Sequence, residues 1–184
     1  MQKMLHRKEN YSYPISFHQG NFVPWEETLI HADCASIRYG LSVFEGIRLY
    51  KQLDSEVMKP FALDAHLSRL KDSLKLMRMP NPGVESLPKI IEELIAKNNI
   101  VEDCYLRASV NATSLGIISE QVTTSMTVSA FKVARKKWLA EGKKMKISIS
   151  KWQKTVDSSL PSTAKCTASY AGPRLALLEA MENG

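Results

Sequence analysis

Cys104-Tyr105-Leu106-Arg107-Ala108-Ser109-Val110 alternates without a break. Leu106, Ala108 and Val110 oppose Tyr105, Arg107 and Ser109, and a period of two sends the two sets to opposite faces of a β-strand. Tyr105 and Arg107 therefore share a face. Downstream, residues 123–131 read as another strand. Upstream, residues 43–50 are rich in β-branched and aromatic side chains and read as a strand too. Residues 15–23 form a short hairpin turning at Gln19-Gly20-Asn21, and Phe61 sits in a further extended piece.

Two helices lie between these strands. Asp64 is the expected N-cap of the first, Leu67, Leu70, Leu74 and Met77 fall on one face, and Pro80 and Pro82-Gly83 end it. The second carries Ile90, Ile91, Leu94 and Ile95 and stops near Asn98-Asn99. Residues 1–131 are thus expected to form a small α+β domain, two helices on a mostly antiparallel sheet. A charged connector, 132–144, follows. In 145–184, Met145, Ile147 and Ile149 alternate with polar residues as a new strand would, a Ser/Thr/Pro loop (155–163) leads to Lys165, and a last helix runs to Asn183-Gly184. This segment is too small to close a core of its own, so it is expected to open a second domain that it does not complete.

Composition narrows the function classes. The 184 residues are 44% hydrophobic and 24% charged, enough apolar material for a real core. No apolar run approaches the roughly eighteen residues a membrane helix needs, so no membrane role is expected. The N-terminal residues lack the apolar region of a secretory signal. Cys34, Cys104 and Cys166 form no CxxC pair and point to reduced thiols in the cytoplasm. The net charge is +6, with Arg135, Lys136, Lys137, Lys143, Lys144 and Lys146 clustered. Only Trp138 is interleaved with them, so the cluster reads as a solvated connector and not as a nucleic-acid surface. His6, His18, His31 and His66 show no ligand spacing, and no metal is expected.

Lys165 stands in Pro161-Ser162-Thr163-Ala164-Lys165-Cys166-Thr167-Ala168-Ser169, among small or polar neighbours with no acidic residue within seven positions. A nucleophilic lysine needs a neutral amine, and burial among uncharged groups favours one. An exposed loop lysine would look the same from these residues alone.

Longer blocks change that balance. Tyr39-Gly40-Leu41-Ser42-Val43-Phe44-Glu45-Gly46-Ile47-Arg48 resembles the YGxSVFEGIR signature of branched-chain aminotransferases, members of the class IV pyridoxal-phosphate-dependent aminotransferases. Residues 61–79 are similar to that family's helix, with an Arg-Leu pair after a His. Tyr105-Leu106-Arg107 resembles its YIRP strand, with Ala108 where proline is usual. Residues 150–170, with Tyr170 five positions past Lys165, resemble its cofactor-lysine segment, and Leu177-Leu178-Glu179-Ala180 continues the match.

The resemblance implies roles at matching positions. Lys165 would hold pyridoxal 5'-phosphate (PLP) as a Schiff base and move the substrate α-proton. Tyr170 would hydrogen-bond the cofactor's phenolic oxygen, and Arg69 would hold its phosphate. Tyr39, Phe44, Tyr105 and Arg107 would line the substrate pocket, while His31, Glu45 and Arg48 are left structural and Gly46 is expected to let backbone approach a ligand. The implied reaction exchanges an amino group between branched-chain amino acids and 2-oxoglutarate in a homo-oligomer. D-amino-acid transaminase and aminodeoxychorismate lyase are sister activities on the same fold, and a non-catalytic binding or dimerisation module is the reading of another class. Family members place Asn where Ser169 stands. They also continue well past the position of Gly184, with a glutamate for the pyridine nitrogen in that part, so the chain alone is expected to be inactive.

Overall fold

A computed structural model describes residues 11–135, 141–144 and 146–183. Six strands form one sheet: β1 (Ile15–His18), β2 (Asn21–Pro24), β3 (Ser42–Lys51), β4 (Met58–Pro60), β5 (Cys104–Ala112) and β6 (Thr124–Phe131), in the order β2-β1-β6-β5-β3-β4. Every pairing is antiparallel. The β1–β2 turn is two residues, Gln19 and Gly20, both at positive φ (50° and 90°). That is the conformation a type I′ hairpin demands, and its twist matches that of the strands it joins.

The alternation in β5 sorts the whole molecule. Cys104, Leu106, Ala108, Val110 and Ala112 are all fully buried, and the residues between them are half-buried. The buried face lies beneath α2 (Leu63–Leu76) and α3 (Leu87–Lys97), which contribute Leu70 and Leu74, and Leu87, Ile90, Ile91 and Leu94, to one core. Leu67, Met77 and Ile95 pack around its rim. A four-residue helix, α1 (Ala35–Arg38), precedes β3, and α4 (Ala171–Glu182) ends the described chain with Pro173 in its first turn, a position where a missing N–H costs nothing.

Three expectations need correction. Asp64 is not the N-cap of α2: Ala62 holds that position in left-handed geometry, and Asp64 sits in the first turn, where its charge still favours the helix dipole. Phe61 follows β4 and is exposed. Residues 146–150 form no strand, and Ile147 and Ile149 stand almost fully in solvent. An alternating pattern makes a strand only beside a hydrogen-bonding neighbour, and among the described residues none is there; Met145 lies outside them. The exposure itself is as expected, and Leu177 and Met181 of α4 share it. Among the described residues of the connector, Arg135 pairs with Asp103 (2.7 Å) and Lys143 with Glu141 (2.8 Å). Lys136, Lys137 and Trp138 lie outside the described residues, as does His6.

One charge breaks the apolar face of β3. Glu45 is fully buried between Val43 and Ile47. Its Oε1 accepts from Nε of Arg69 at 2.6 Å, and its Oε2 accepts from Nη2 of Arg69 at 2.7 Å and lies 2.8 Å from Nδ1 of His66. Both partners come from α2, so the carboxylate fastens that helix to the sheet. Burial pushes the Glu45 carboxyl up, but hydrogen bonds and charge from Arg69 and His66 outweigh it and hold the group below its ordinary value. The stabilisation is therefore complete above the ordinary carboxylate range and is lost as pH falls through the lowered value.

Two outcomes follow for stability. Leu106→Ala should lower unfolding free energy by about 2–5 kcal/mol, as a cavity at a fully buried site does, measured by urea denaturation. Glu45→Gln should cost about 1–3 kcal/mol at neutral pH, towards the low end because solvent screens the half-exposed Arg69. The gap between parent and variant should close on acidification below the carboxylate range. A gap that does not change with pH would show that the charge is not what fastens the helix.

Candidate active site

The open part of β3 builds the site. β4 covers only residues 49–51 of that strand, which leaves its other half an unpaired edge. Residues 165–166 come back to fill it: Val43 and Cys166 form an antiparallel bridge, and the Phe44 N–H donates to the Lys165 carbonyl at 3.0 Å. On the other side of the same residue, the Lys165 N–H donates to Oγ of Ser73 in α2 at 3.0 Å. Both backbone groups of Lys165 are thus tied to the small α+β domain.

A cavity of about 450 Å³ opens beside this edge, lined among others by Phe44, Arg69, Tyr105, Arg107, Lys165 and Tyr170. Lys165 and Tyr170 meet directly, Nζ to the phenol oxygen at 2.6 Å. Five positions separate them because a 3-10 turn, Thr167–Tyr170, folds the chain back before α4. The tyrosine ring packs against Phe44 with centroids 4.9 Å apart. Phe44 also carries two cations: the Arg107 guanidinium carbon lies 3.8 Å from its ring centroid and the Lys165 ammonium nitrogen 4.9 Å, distances at which the ring quadrupole attracts a cation. Arg107 is steadied further by donating Nε–H to Ser109 Oγ at 3.2 Å. Burial pushes the Tyr105 phenol up, against the opposing charge of Arg107.

Arg69 enters from the helix layer. Glu45 occupies one edge of its guanidinium, Nε and one Nη2 proton. Nη1 and the second Nη2 proton make up the other edge, a fork suited to phosphate. The geometry fits pyridoxal phosphate chemically: an amine for an aldehyde, a phenol beside that amine, and a charged fork at the same cavity.

Six of the seven sequence-derived site residues come together here, and Tyr39 does not line the cavity. Tyr39 follows α1, packs against the core and lies under the Arg38 guanidinium, 5.1 Å from ring to cation. Gly46 lines the same cavity, and its bare backbone also serves a neighbour. A Cβ there would collide with the Tyr105 phenol oxygen and come within 2.8 Å of its ring, so the missing side chain makes room for Tyr105 across the strand. Sequence reasoning missed Glu45 and Ser73. A carboxylate at an inward strand position between Val43 and Ile47 was the available signal for the first; Ser73, a hydroxyl within an apolar helix face, is the comparable signal for the second.

The family model described as "Amino-transferase class IV" matches residues 42–184. A protein of Aquifex aeolicus named "Probable branched-chain-amino-acid aminotransferase" is 28% identical over 177 residues, which are 96% of this chain and 57% of that protein. Among solved structures, the branched-chain aminotransferase of the thermophilic archaeon Thermoproteus uzoniensis with norvaline superposes with a TM-score of 0.80 at 26% identity, covering 94% of this chain and 57% of the other. The branched-chain amino acid aminotransferase of Thermobaculum terrenum in its PLP form gives 0.76, at 26% identity and 94% and 57% coverage. The chain therefore spans just over half the length of these relatives. On the match to residues 42–184, it belongs to the class IV aminotransferases.

Proposed function

We propose that this chain supplies the cofactor lysine and part of the substrate pocket of a branched-chain amino acid transaminase dependent on pyridoxal phosphate. The observation that carries the reading is the convergence of Lys165, Tyr170 and Arg69 on one cavity, in a chain of a family whose solved relatives include one in PLP form. When bound, pyridoxal phosphate supplies an aldehyde for amine exchange and an electron sink for the α-carbanion.

The protein's own groups divide the remaining work. Lys165 Nζ would hold the cofactor's aldehyde carbon and, as a free amine, would take the substrate's α-proton. The Tyr170 hydroxyl, 2.6 Å away, steadies that nitrogen. Arg69 binds the phosphate with the edge Glu45 leaves open, and Glu45 fixes its direction. Phe44 and Tyr105 supply apolar surface for a branched side chain and help exclude water. Arg107 meets the side-chain carboxylate when glutamate is the amino donor to the cofactor, with 2-oxoglutarate as the matching acceptor.

Borohydride reduction of the cofactor-loaded protein, followed by peptide mass spectrometry, should place the label on Lys165. Label on another lysine, with Lys165 unmodified, would sink the assignment. Arg107→Leu should weaken the glutamate half-reaction by about 2–5 kcal/mol, the effect of losing a desolvated ion pair, and leave the leucine half-reaction much less changed. Equal losses with both donors would count against that role.

A further inference from the structure

We infer that Ser73 is a positioning residue for Lys165, setting where the lysine amine stands relative to the Arg69 anchor. The inference rests on Lys165 being the cofactor lysine.

Ser73 is fully buried in α2. Serine forms helix less readily than alanine, and inside a helix its hydroxyl usually turns to solvent or back to the carbonyl one turn earlier. Here Oγ accepts the Lys165 N–H, from a residue 92 positions along the chain. Among the described residues no ladder partner serves that N–H, because β3 takes the lysine through its carbonyl and leaves the amide to the helix. A buried amide without an acceptor is costly, and the hydroxyl removes that cost only while residue 165 keeps this place.

Arg69 is the second half of the device. It precedes Ser73 by four residues, so the two project from one face of α2 about 6 Å apart along its axis. One rigid element thus carries both the cation for the phosphate and the acceptor that locates the lysine backbone. Glu45 fastens that element to β3, which holds the Lys165 carbonyl. The spacing between anion site and amine is therefore built into a single turn of helix, and does not depend on how the 155–163 loop is arranged.

The test compares the parent chain with Ser73→Ala and Ser73→Thr. Each is titrated with pyridoxal phosphate, reduced with borohydride and mapped by mass spectrometry, and folding is followed by circular dichroism. Label at Lys165 should fall roughly five- to thirtyfold in Ser73→Ala at one sub-saturating cofactor concentration, the factor that losing one part-buried hydrogen bond to a fully buried hydroxyl corresponds to. Label on surface lysines should not change, and Ser73→Thr should restore the Lys165 signal. Equal Lys165 labelling in parent and Ser73→Ala overturns the inference. Amide hydrogen exchange on the parent decides the backbone claim without any variant: the Lys165 amide should be protected, and rapid exchange overturns the inference even if Ser73→Ala fails to fold. Absence of label at Lys165 in a parent whose Lys165 amide is protected would instead remove the cofactor reading, and the positional claim with it.

Discussion

The hydrogen bond from the Phe44 N–H to the Lys165 carbonyl holds the arrangement together. A β-sheet edge is a row of unsatisfied donors and acceptors, and β4 is too short to cover all of β3. Part of the remainder, at Val43 and Phe44, is paired by two residues arriving from more than a hundred positions downstream. Because the sheet needs that pairing, the residue making it takes its direction from β3 and not from its own loop. Phe44 then serves twice, with its backbone locating Lys165 and its ring packing against Tyr170 and beneath two cations.

The same edge explains how side chains from opposite faces of a sheet reach one cavity. Tyr105 and Arg107 project from the polar face of β5, whereas Arg69 belongs to the helix covering the apolar face. Only past an edge can the two layers meet. Glu45 makes the meeting possible from within the core. An ionised carboxylate is tolerated there because two donors from α2 satisfy it, and in return it aims one of those donors outward.

Features governed by short-range periodicity were legible in the amino-acid sequence. Leu106, Ala108 and Val110 announced the buried face, and Leu70, Leu74, Ile90, Ile91 and Leu94 the helix faces that cover it. Lys165, Tyr170, Arg69 and Arg107 were legible through motif resemblance, which carries positional information that residue chemistry alone lacks. What stayed hidden depends on partners remote along the chain. Ser73 and Glu45 are visible in the sequence as polar residues on apolar faces, but what each bonds to is settled only once residue 165 and α2 are placed. Gly46 gave no sign that Tyr105 fills the space beside it, because a bare backbone does not reveal which neighbour that will be. The alternation at Ile147 and Ile149 misled for the opposite reason: it described a face with no neighbour, among the described residues, to pair with.

Arg69 and Arg107 are charged at every relevant pH, and both line one cavity. Glu45 compensates the first, while among the described residues no carboxylate pairs with the second. The mouth of the site therefore carries a net positive field, focused by the apolar walls around Phe44. Such a field speeds the arrival of anions before any contact forms and fades beyond the screening length of about 8 Å at physiological salt. Any small anion this cavity accepts would therefore arrive at a rate sensitive to ionic strength, whereas the Arg69–Glu45 geometry is set by bonds to a fully buried carboxylate that salt barely reaches.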